Sequence, residues 1–593
     1  MRGVIRRCLT WIGGLAVIYL IVAGVIFLSM TRKKDVPNKT ILELHLEREV
    51  VEYTPDDPIA KATGSDRLVL HELTLALEKA ENDPHVVGLV AQLGATKMGV
   101  ATVQEIRDAI VRFRQKGKFA LAFSETYGEF SNGLGAYYLA TAFDEVWMQP
   151  SGDVGLAGLF LESPFLRGVL DKVGVKPRMD QRKEYKNALN MFTEKSFTPA
   201  HREAMTKIGD SIYGQLVRAI SDSRKLSEAE VRATIDRGPL LGAEAMTAKL
   251  VDKLGYHDEF YAAAKQRAGQ GAELLYLHKY RERVEPLHKK GPKVALIYGV
   301  GGVARGKSSY DPLSGDVSLG SDTVAAGFRA AIADKDVKVI LFRVSSPGGS
   351  YVASDVIWQE VGRARRAGKP VVVSMGNVAG SGGYFVAMAA DKIVAQPGTI
   401  TGSIGVLGGK LVPTELWEKI GLSFDEVHFG KNAGFFSMNR DYTPEEWARL
   451  QAWLDRIYDD FTSKVAAGRK LDKQKVLEIA KGRIWTGEDA KGIGLIDELG
   501  GLHTALALCK KLANVGDAQD VELLTFPRDK GPVRAILDKL THKDPDSSDK
   551  EGAPVQVQIE SLEAMQKLLR TAQKLGIYGQ SDVLQMPLLG DGL

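Results

Sequence analysis

The stretch "VKVILFRVSSPGGSYVASDVIWQEVGRARRAGKPVVVSM", Val337–Met375, decides the fold class. "VKVILFRV" is a nearly continuous apolar run of strand length, as expected of a strand covered on both faces. "SYVASDVIWQEVGRARRAGK" repeats its apolar residues at helical spacing and stops at Gly-Lys-Pro. "PVVVSM" then reads as a second buried strand. Strand, helix, strand in that order predicts a parallel βαβ unit and an α/β fold. Upstream, "KVALIYGV" at Lys293–Val300 adds another strand. Downstream, the Gly-rich turn of "NVAGSGGYFVAMAA", Asn377–Ala390, leads into a helix of small residues.

Working outward, the same pattern occurs twice. "QKGKFALAF" at Gln115–Phe123 resembles "RAGKPVVVS" at Arg366–Ser374, and "AFDEVWMQPSG" at Ala142–Gly152 resembles "AADKIVAQPG" at Ala389–Gly398. "KVGVKPRMDQRKEYKNA" ends at Ala188 and "KIGLSFDEVHFGKNA" at Ala433; "GAEAMTAKLVDKLG" ends at Gly255 and "GEDAKGIGLIDELG" at Gly500. The offset stays between 245 and 251 residues, too long for a solenoid repeat, so a whole domain is duplicated. The chain divides into an anchor (1–32), a first α/β domain (38–285), a second (290–530), and a linker with a C-terminal tail (541–593). "HKDPDSSDKEGAP" at His542–Pro554 has the composition of a linker, and "SLEAMQKLLRTAQKLG" after it has the spacing of an amphipathic helix.

Composition excludes several classes. The 593 residues exceed one ordinary core. A net charge of +4 gives no reason to expect a nucleic-acid partner. Cys8 and Cys509 make no disulfide framework, and no metal-ligand spacing occurs among the ten histidines. From Leu9 to Met30 the chain has 22 residues without a charge. As a helix they would extend about 33 Å, enough for a bilayer core of about 30 Å. The run is longer than a signal-peptide core and is followed by "TRKKD", which favours an uncleaved transmembrane anchor over a cleaved signal. Basic residues are nearly balanced on its two sides. The N-terminus is expected inside, because a large body following such an anchor usually lies outside.

Two constellations offer chemistry. In "RVSSPGGSYVAS", Arg343–Ser354, adjacent glycines at a strand-to-helix turn leave backbone N–H groups open to an oxyanion. An ordinary turn is the plainer interpretation. However, the first half reads "AQLGATKMGVATVQ" at the matching place and lacks the Pro-Gly-Gly, which tilts the balance toward function. In "TGSIGVLG", Ser403 stands where the first half has Leu156, so any serine chemistry of this turn belongs to the second half. No histidine lies near it. A lysine with a pKa lowered by burial can act as the base instead. Lys186 in "KEYKNA" and Lys431 in "HFGKNA" both qualify, and spacing does not choose between them.

Taken together, "RVSSPGGS", "GNVAGSGGYFVAMAADKIVAQPGTITGSIGV", "EYKNA" and "WTGEDAKGIGLIDELG" resemble the signal peptide peptidase A family, also called protease IV, in its long duplicated bacterial form. The resemblance covers nearly everything up to about residue 530. It implies tandem ClpP/crotonase-like domains preceded by one transmembrane helix, and a serine endopeptidase with a Ser–Lys dyad. It implies Ser403 as nucleophile and Lys186 as general base, with Lys431 the alternative base because short members carry their lysine about thirty residues after the serine. Gly348, Gly349 and the N–H of Ile404 are the expected oxyanion donors. No metal or organic cofactor is implied. The expected substrates are cleaved signal peptides, the expected assembly a homotetramer, and the expected location the bacterial inner membrane, with the catalytic body on the periplasmic side. Two alternatives stand beside this: a crotonase-type acyl-CoA enzyme, and a degenerate membrane scaffold.

Overall fold

A computed structural model describes residues 35–54, 67–94, 98–311, 316–516 and 519–527, and the backbone of 584–585. The expected anchor, the linker at 542–554 and the amphipathic tail helix lie outside the described residues. Among those described, no helix is long and apolar enough to cross a membrane.

The main strands of the first half are β1 (Thr40–Leu46), β2 (Val86–Leu93), β3 (Phe119–Ser124), β4 (Glu145–Met148), β5 (Lys176–Arg182), β6 (Lys253–Leu254) and β7 (Glu273–Tyr276). All but β5 form one parallel sheet in the order β6-β4-β3-β2-β1-β7. Helix α1 (Val100–Gln115) covers this sheet, and α2 (Pro199–Arg224) packs beside it.

The second half repeats the design with β8 (Lys293–Val300), β9 (Val337–Ser346), β10 (Gly348–Gly349), β11 (Val371–Gly380), β12 (Lys392–Ala395), β13 (Ile400–Gly402), β14 (Val406–Val412), β15 (Ile484–Thr486), β16 (Glu498–Leu499) and β17 (Glu522–Thr525). The sheet runs β15-β13-β11-β9-β8-β17, with β12 and then β16 branching from β11. Strand β11 pairs with β12 through Val372–Ser374 and with β13 through Val378–Gly380, so the sheet divides along one strand. Its helices include α3 (Tyr351–Arg366), α4 (Gly382–Ala387) and α5 (Pro444–Arg469). Strand β9 is buried along almost its whole length, because α3 covers one face and a C-terminal helix, Leu502–Leu512, the other. That double cover explains why "VKVILFRV" does not alternate.

The duplication extends to single hydrogen bonds. Tyr137 Oη donates to the carbonyl of Leu250 and Tyr384 Oη to that of Leu495, each at 2.8 Å. Asp252 accepts from the N–H of Val146, and Asp497 from that of Ile393. Helices α2 and α5 both start at a Thr-Pro whose threonine hydroxyl caps the first turn, and both end on a left-handed lysine.

The halves are joined by an exchange. Strand β5 leaves the first half and pairs antiparallel with β14 over seven residues, from Arg182 opposite Val406 to Lys176 opposite Val412. It also lies on α5, where Arg182 bonds Asp455 and the Gln451 side chain. A strand donated in this way carries its downstream residues into the neighbouring half.

Candidate active site

Lys186 comes shortly after the end of β5 and is delivered by it. The N–H of Tyr185 donates to the carbonyl of Lys481, holding the chain against the second half. Gly482, at φ +79°, leaves room for the lysine: a β-carbon there would come within 2.5 Å of Lys186 Cβ. Gly405 does the same on the other side, with Lys186 Cδ 3.1 Å from its would-be β-carbon.

Lys186 Nζ ends among three oxygens. Ser381 Oγ is 2.8 Å away, and Ser403 Oγ and the Ser403 carbonyl oxygen are each 2.9 Å away. Lysine and both serines are fully buried. No carboxylate contributes to the lysine's environment, and burial alone pushes its pKa well below the ordinary range. A neutral amine has two N–H donors and one lone pair. Donation to the Ser403 carbonyl and to one hydroxyl leaves the lone pair to accept from the other.

Lys186 and Ser403 are therefore brought together. Lys431 is not: it lies in an exposed loop and does not reach Ser403. The Ile404 side chain packs into the second-half core, and its carbonyl accepts from the N–H of Gly482.

The serine that sequence reasoning missed is Ser381. It joins the end of β11 to the start of α4 at φ 54° and ψ −113°, a conformation that serine adopts only under local constraint. A serine at a sharp strand-to-helix turn was the available signal in "NVAGSGGYF". Ser403 is also at positive φ, 51°, so strain alone does not separate the two. Nor do their backbone hydrogen bonds: the Ser403 N–H donates to the carbonyl of Arg483 at 2.7 Å and its carbonyl accepts from Lys186, while the Ser381 N–H donates to the carbonyl of Gly402 at 2.8 Å and its carbonyl accepts from the N–H of Phe385. Their surroundings do, because the residues that follow Ser381 lie against the glycine turn. A β-carbon at Gly382 would come within 3.0 Å of the Gly349 nitrogen, and one at Gly383 within 2.4 Å of the Ser346 carbonyl. The N–H groups that open α4 have no partner within the helix.

Strand β10, which contains Gly348 and Gly349, has an edge that takes an extended segment. Strand β18 (Leu584–Gln585) pairs with it antiparallel, Gly348 opposite Gln585 and Gly349 opposite Leu584. The first half has lost both hydroxyls: at constant offset, Leu134 stands for Ser381 and Leu156 for Ser403. Among the described residues, no group of three or more acidic, histidine or cysteine side chains is arranged to hold a metal.

Comparison with known proteins agrees with the duplication. The model of peptidase family S49 matches residues 113–271 and again 363–516. The chloroplastic serine protease SPPA of Arabidopsis thaliana is 32% identical over 486 residues, 80% of this chain and 70% of that protein. Protease 4 of Salmonella typhi is 34% identical over 467 residues, 76% of this chain and 74% of that one. A protein of Enterococcus faecium named as a signal peptide peptidase SppA is 36% identical over 189 residues, 32% of this chain and 55% of that one.

Proposed function

The chain belongs to peptidase family S49 and is a serine peptidase, and from that premise we propose a membrane-anchored endopeptidase that degrades cleaved signal peptides with a Ser–Lys dyad. Membership of a peptidase family leaves the acyl-CoA and scaffold alternatives without support. The observation that carries the dyad is the buried Lys186 amine within hydrogen-bond reach of Ser381.

In this mechanism the nucleophile is Ser381 rather than the Ser403 expected from sequence. Support comes from the glycine turn beside Ser381, where Gly382 lies against the Gly349 nitrogen and Gly383 against the Ser346 carbonyl. Neutral Lys186 takes the Ser381 proton as Oγ bonds to the peptide carbonyl carbon. The N–H groups of Gly349 and Gly382 face the oxyanion, with Gly382 replacing Ile404 in that role. The lysine ammonium returns the proton to the leaving amine as the C–N bond breaks. Water, deprotonated by the same amine, then hydrolyses the ester and frees Ser381. Ser403 holds the lysine through its hydroxyl and carbonyl and is a positioning residue. An extended peptide on the edge of β10 takes the direction that β18 takes in the structure.

The substrate class rests on the name of the Enterococcus faecium relative and on the family resemblance. Each half is read as a ClpP/crotonase-like domain. The 22-residue apolar run is read as a single-pass anchor in a bacterial inner membrane, with the catalytic body on the periplasmic side and four chains assembled as a homotetramer. The test is labelling of the full chain by a serine-reactive phosphonate, located by peptide mapping, alongside cleavage of synthetic signal peptides. Label on Ser381 with cleavage supports the proposal; label on Ser403 restores the sequence expectation. Absence of both label and cleavage in folded protein refutes the dyad.

A further inference from the structure

Two distant chain segments have to meet for Lys186 to reach its serines, and Arg483 touches both. It immediately precedes β15, and its carbonyl accepts from the N–H of Ser403 at 2.7 Å. Its guanidinium lies 4.9 Å from the ring centre of Tyr185, the residue before Lys186, and 4.5 Å from that of Trp485. Glu203 of α2 takes the guanidinium fork, accepting from Nη1 at 2.9 Å and from Nη2 at 2.8 Å. Trp485 is fixed in turn. Its indole N–H donates to the carbonyl of Ile479 at 3.1 Å, and a β-carbon at Gly402 would come within 2.8 Å of its Cδ1. The backbone of Arg483 thus holds the Ser403 segment, while its side chain holds the Lys186 segment.

The duplication shows what the cluster is tied to. An offset of 245 aligns the two "KNA" motifs and also Gly255 with Gly500. At that offset Arg483 corresponds to Gly238, Trp485 to Leu240, Glu203 to Ala448 and Tyr185 to Gly430. Features of the shared plan survive in both copies, as the Tyr137 and Tyr384 hydrogen bonds do. The Arg483 cluster occurs only where a lysine meets a serine. Stability gives little reason for it, because Glu203 is half-exposed and ion pairs open to water contribute little.

We propose that Arg483 is a positioning residue for the dyad: packed on Tyr185 and Trp485 and fixed by Glu203, it sets the separation of Lys186 Nζ from the serine hydroxyls. The inference rests on the Ser–Lys reading above and deepens it by naming what keeps the donated lysine in register. Arginine suits this task because its planar guanidinium stacks on rings while its edge forms two parallel bonds to one carboxylate; an ammonium does neither. Burial alone lowers the Lys186 pKa, so the amine depends on close packing around it. A displacement of Tyr185 therefore acts on the amine twice, by moving it from the hydroxyls and by letting water reach it. The first lowers kcat, since a shift of about 1 Å can cost about 10²-fold. The second moves the pKa back up toward the ordinary lysine value.

The test compares Arg483→Met, Arg483→Lys and Glu203→Ala with wild type, all as full chains. It measures pH–rate profiles on a synthetic signal peptide and thermal melts of the same samples. Arg483→Met is expected to lose roughly 10–100-fold in kcat with KM within about twofold, and its rising limb of kcat/KM to move up by about one pH unit. Arg483→Lys is expected to stay near Arg483→Met, and Glu203→Ala to move both quantities the same way by less. A wild-type profile in Arg483→Met would overturn the inference. So would a loss of kcat with an unmoved limb, or full recovery in Arg483→Lys. If Arg483→Met does not fold, Glu203→Ala decides on the same readouts, and an unmoved limb there overturns the inference. Failure of the dyad itself registers elsewhere: wild type then goes unlabelled by the phosphonate at Ser381, or Lys186→Met stays active, whatever the Arg483 variants do.

Discussion

Lys186 Nζ stands 2.8 Å from Ser381 Oγ, although 195 residues separate them in the chain. The same nitrogen is 2.9 Å from Ser403 Oγ, so substitution has to separate attack from positioning. Ser381→Ala is expected to lower kcat by roughly four orders of magnitude or more and to abolish phosphonate labelling. Ser403→Ala removes one hydrogen bond to the base, about 1.5–3 kcal/mol for a charge-assisted bond, which is roughly 10–100-fold in rate. It is expected to keep the label on Ser381 and to shift the pH profile, since the lysine loses a partner. Loss of labelling in Ser403→Ala with labelling kept in Ser381→Ala would reverse the two roles.

Burial holds the Lys186 pKa well below its ordinary value, and this has two consequences of known sign. The neutral amine is the base, so kcat/KM is expected to rise as pH passes upward through the lowered pKa and then to level off. Between that pKa and the unfolded value of about 10.4, the unfolded chain binds the extra proton, so folding stability rises with pH. Below the lowered pKa the penalty is complete and constant. Lys186→Met is therefore expected to be inactive, and its stability relative to wild type to be greatest near neutral pH and to decline toward pH 10. Thermal melts of both proteins across that range measure the difference. Lys431→Ala, in an exposed loop, is expected to leave kcat within about twofold of wild type, the effect of surface changes being small.

The duplicated α/β plan was legible because buried parallel strands are apolar throughout and helices keep their period, as Val337–Met375 shows. Lys186 was legible through its "KNA" motif and so was Ser403, but Ser381, the other hydroxyl beside the amine, was not. Ser403 drew attention because its twin is a leucine; Ser381, in a run of glycines and alanines, looked like packing. Its twin, Leu134, is a leucine too, but that match emerges only when Tyr137 and Tyr384 are seen making the same hydrogen bond. The exchange of β5 was not legible at all. Antiparallel pairing between segments more than 200 residues apart leaves no local period, and "KPRMDQR" has none of the apolar character of a core strand.

Gly349 tests the oxyanion turn. It sits at φ +151°, and a β-carbon there would come within 2.2 Å of the Val303 carbonyl oxygen. Gly349→Ala must displace β10 from its place beside Gly382. The expected result is a 10²–10³-fold loss in kcat, the usual effect of losing one oxyanion donor, with KM changed much less. Steady-state cleavage of a signal peptide measures it. An unchanged kcat would show that the Gly349 N–H does not face the developing charge.

Arg343 tests how the halves are held in the register that the dyad requires. Its guanidinium is buried in β9, where Glu52 accepts at 2.9 and 3.0 Å and Glu105 at 2.9 Å. Both carboxylates come from the first half. Glu105 also accepts from the N–H of Leu502, and Arg343 donates to Ser374 on the adjacent strand. The two carboxylates outweigh burial and drive the guanidinium pKa up, so the cation persists at all working pH. Removing one partner leaves a buried charge half-compensated. Glu105→Ala is expected to cost about 3–5 kcal/mol. Replacing the charges by uncharged residues removes the desolvation penalty of the ions along with their attraction, so R343M/E52Q/E105L is expected to lose less than Glu105→Ala alone. Because β9 runs directly into Ser346 and the Gly348–Gly349 turn, the single variant is also expected to lose kcat beyond the unfolded fraction, whereas the triple variant recovers it. Chemical denaturation and active-site titration on the same samples separate the two effects. Equal stability of Glu105→Ala and wild type would mean that the ion cluster does not tie the donated lysine to its serine.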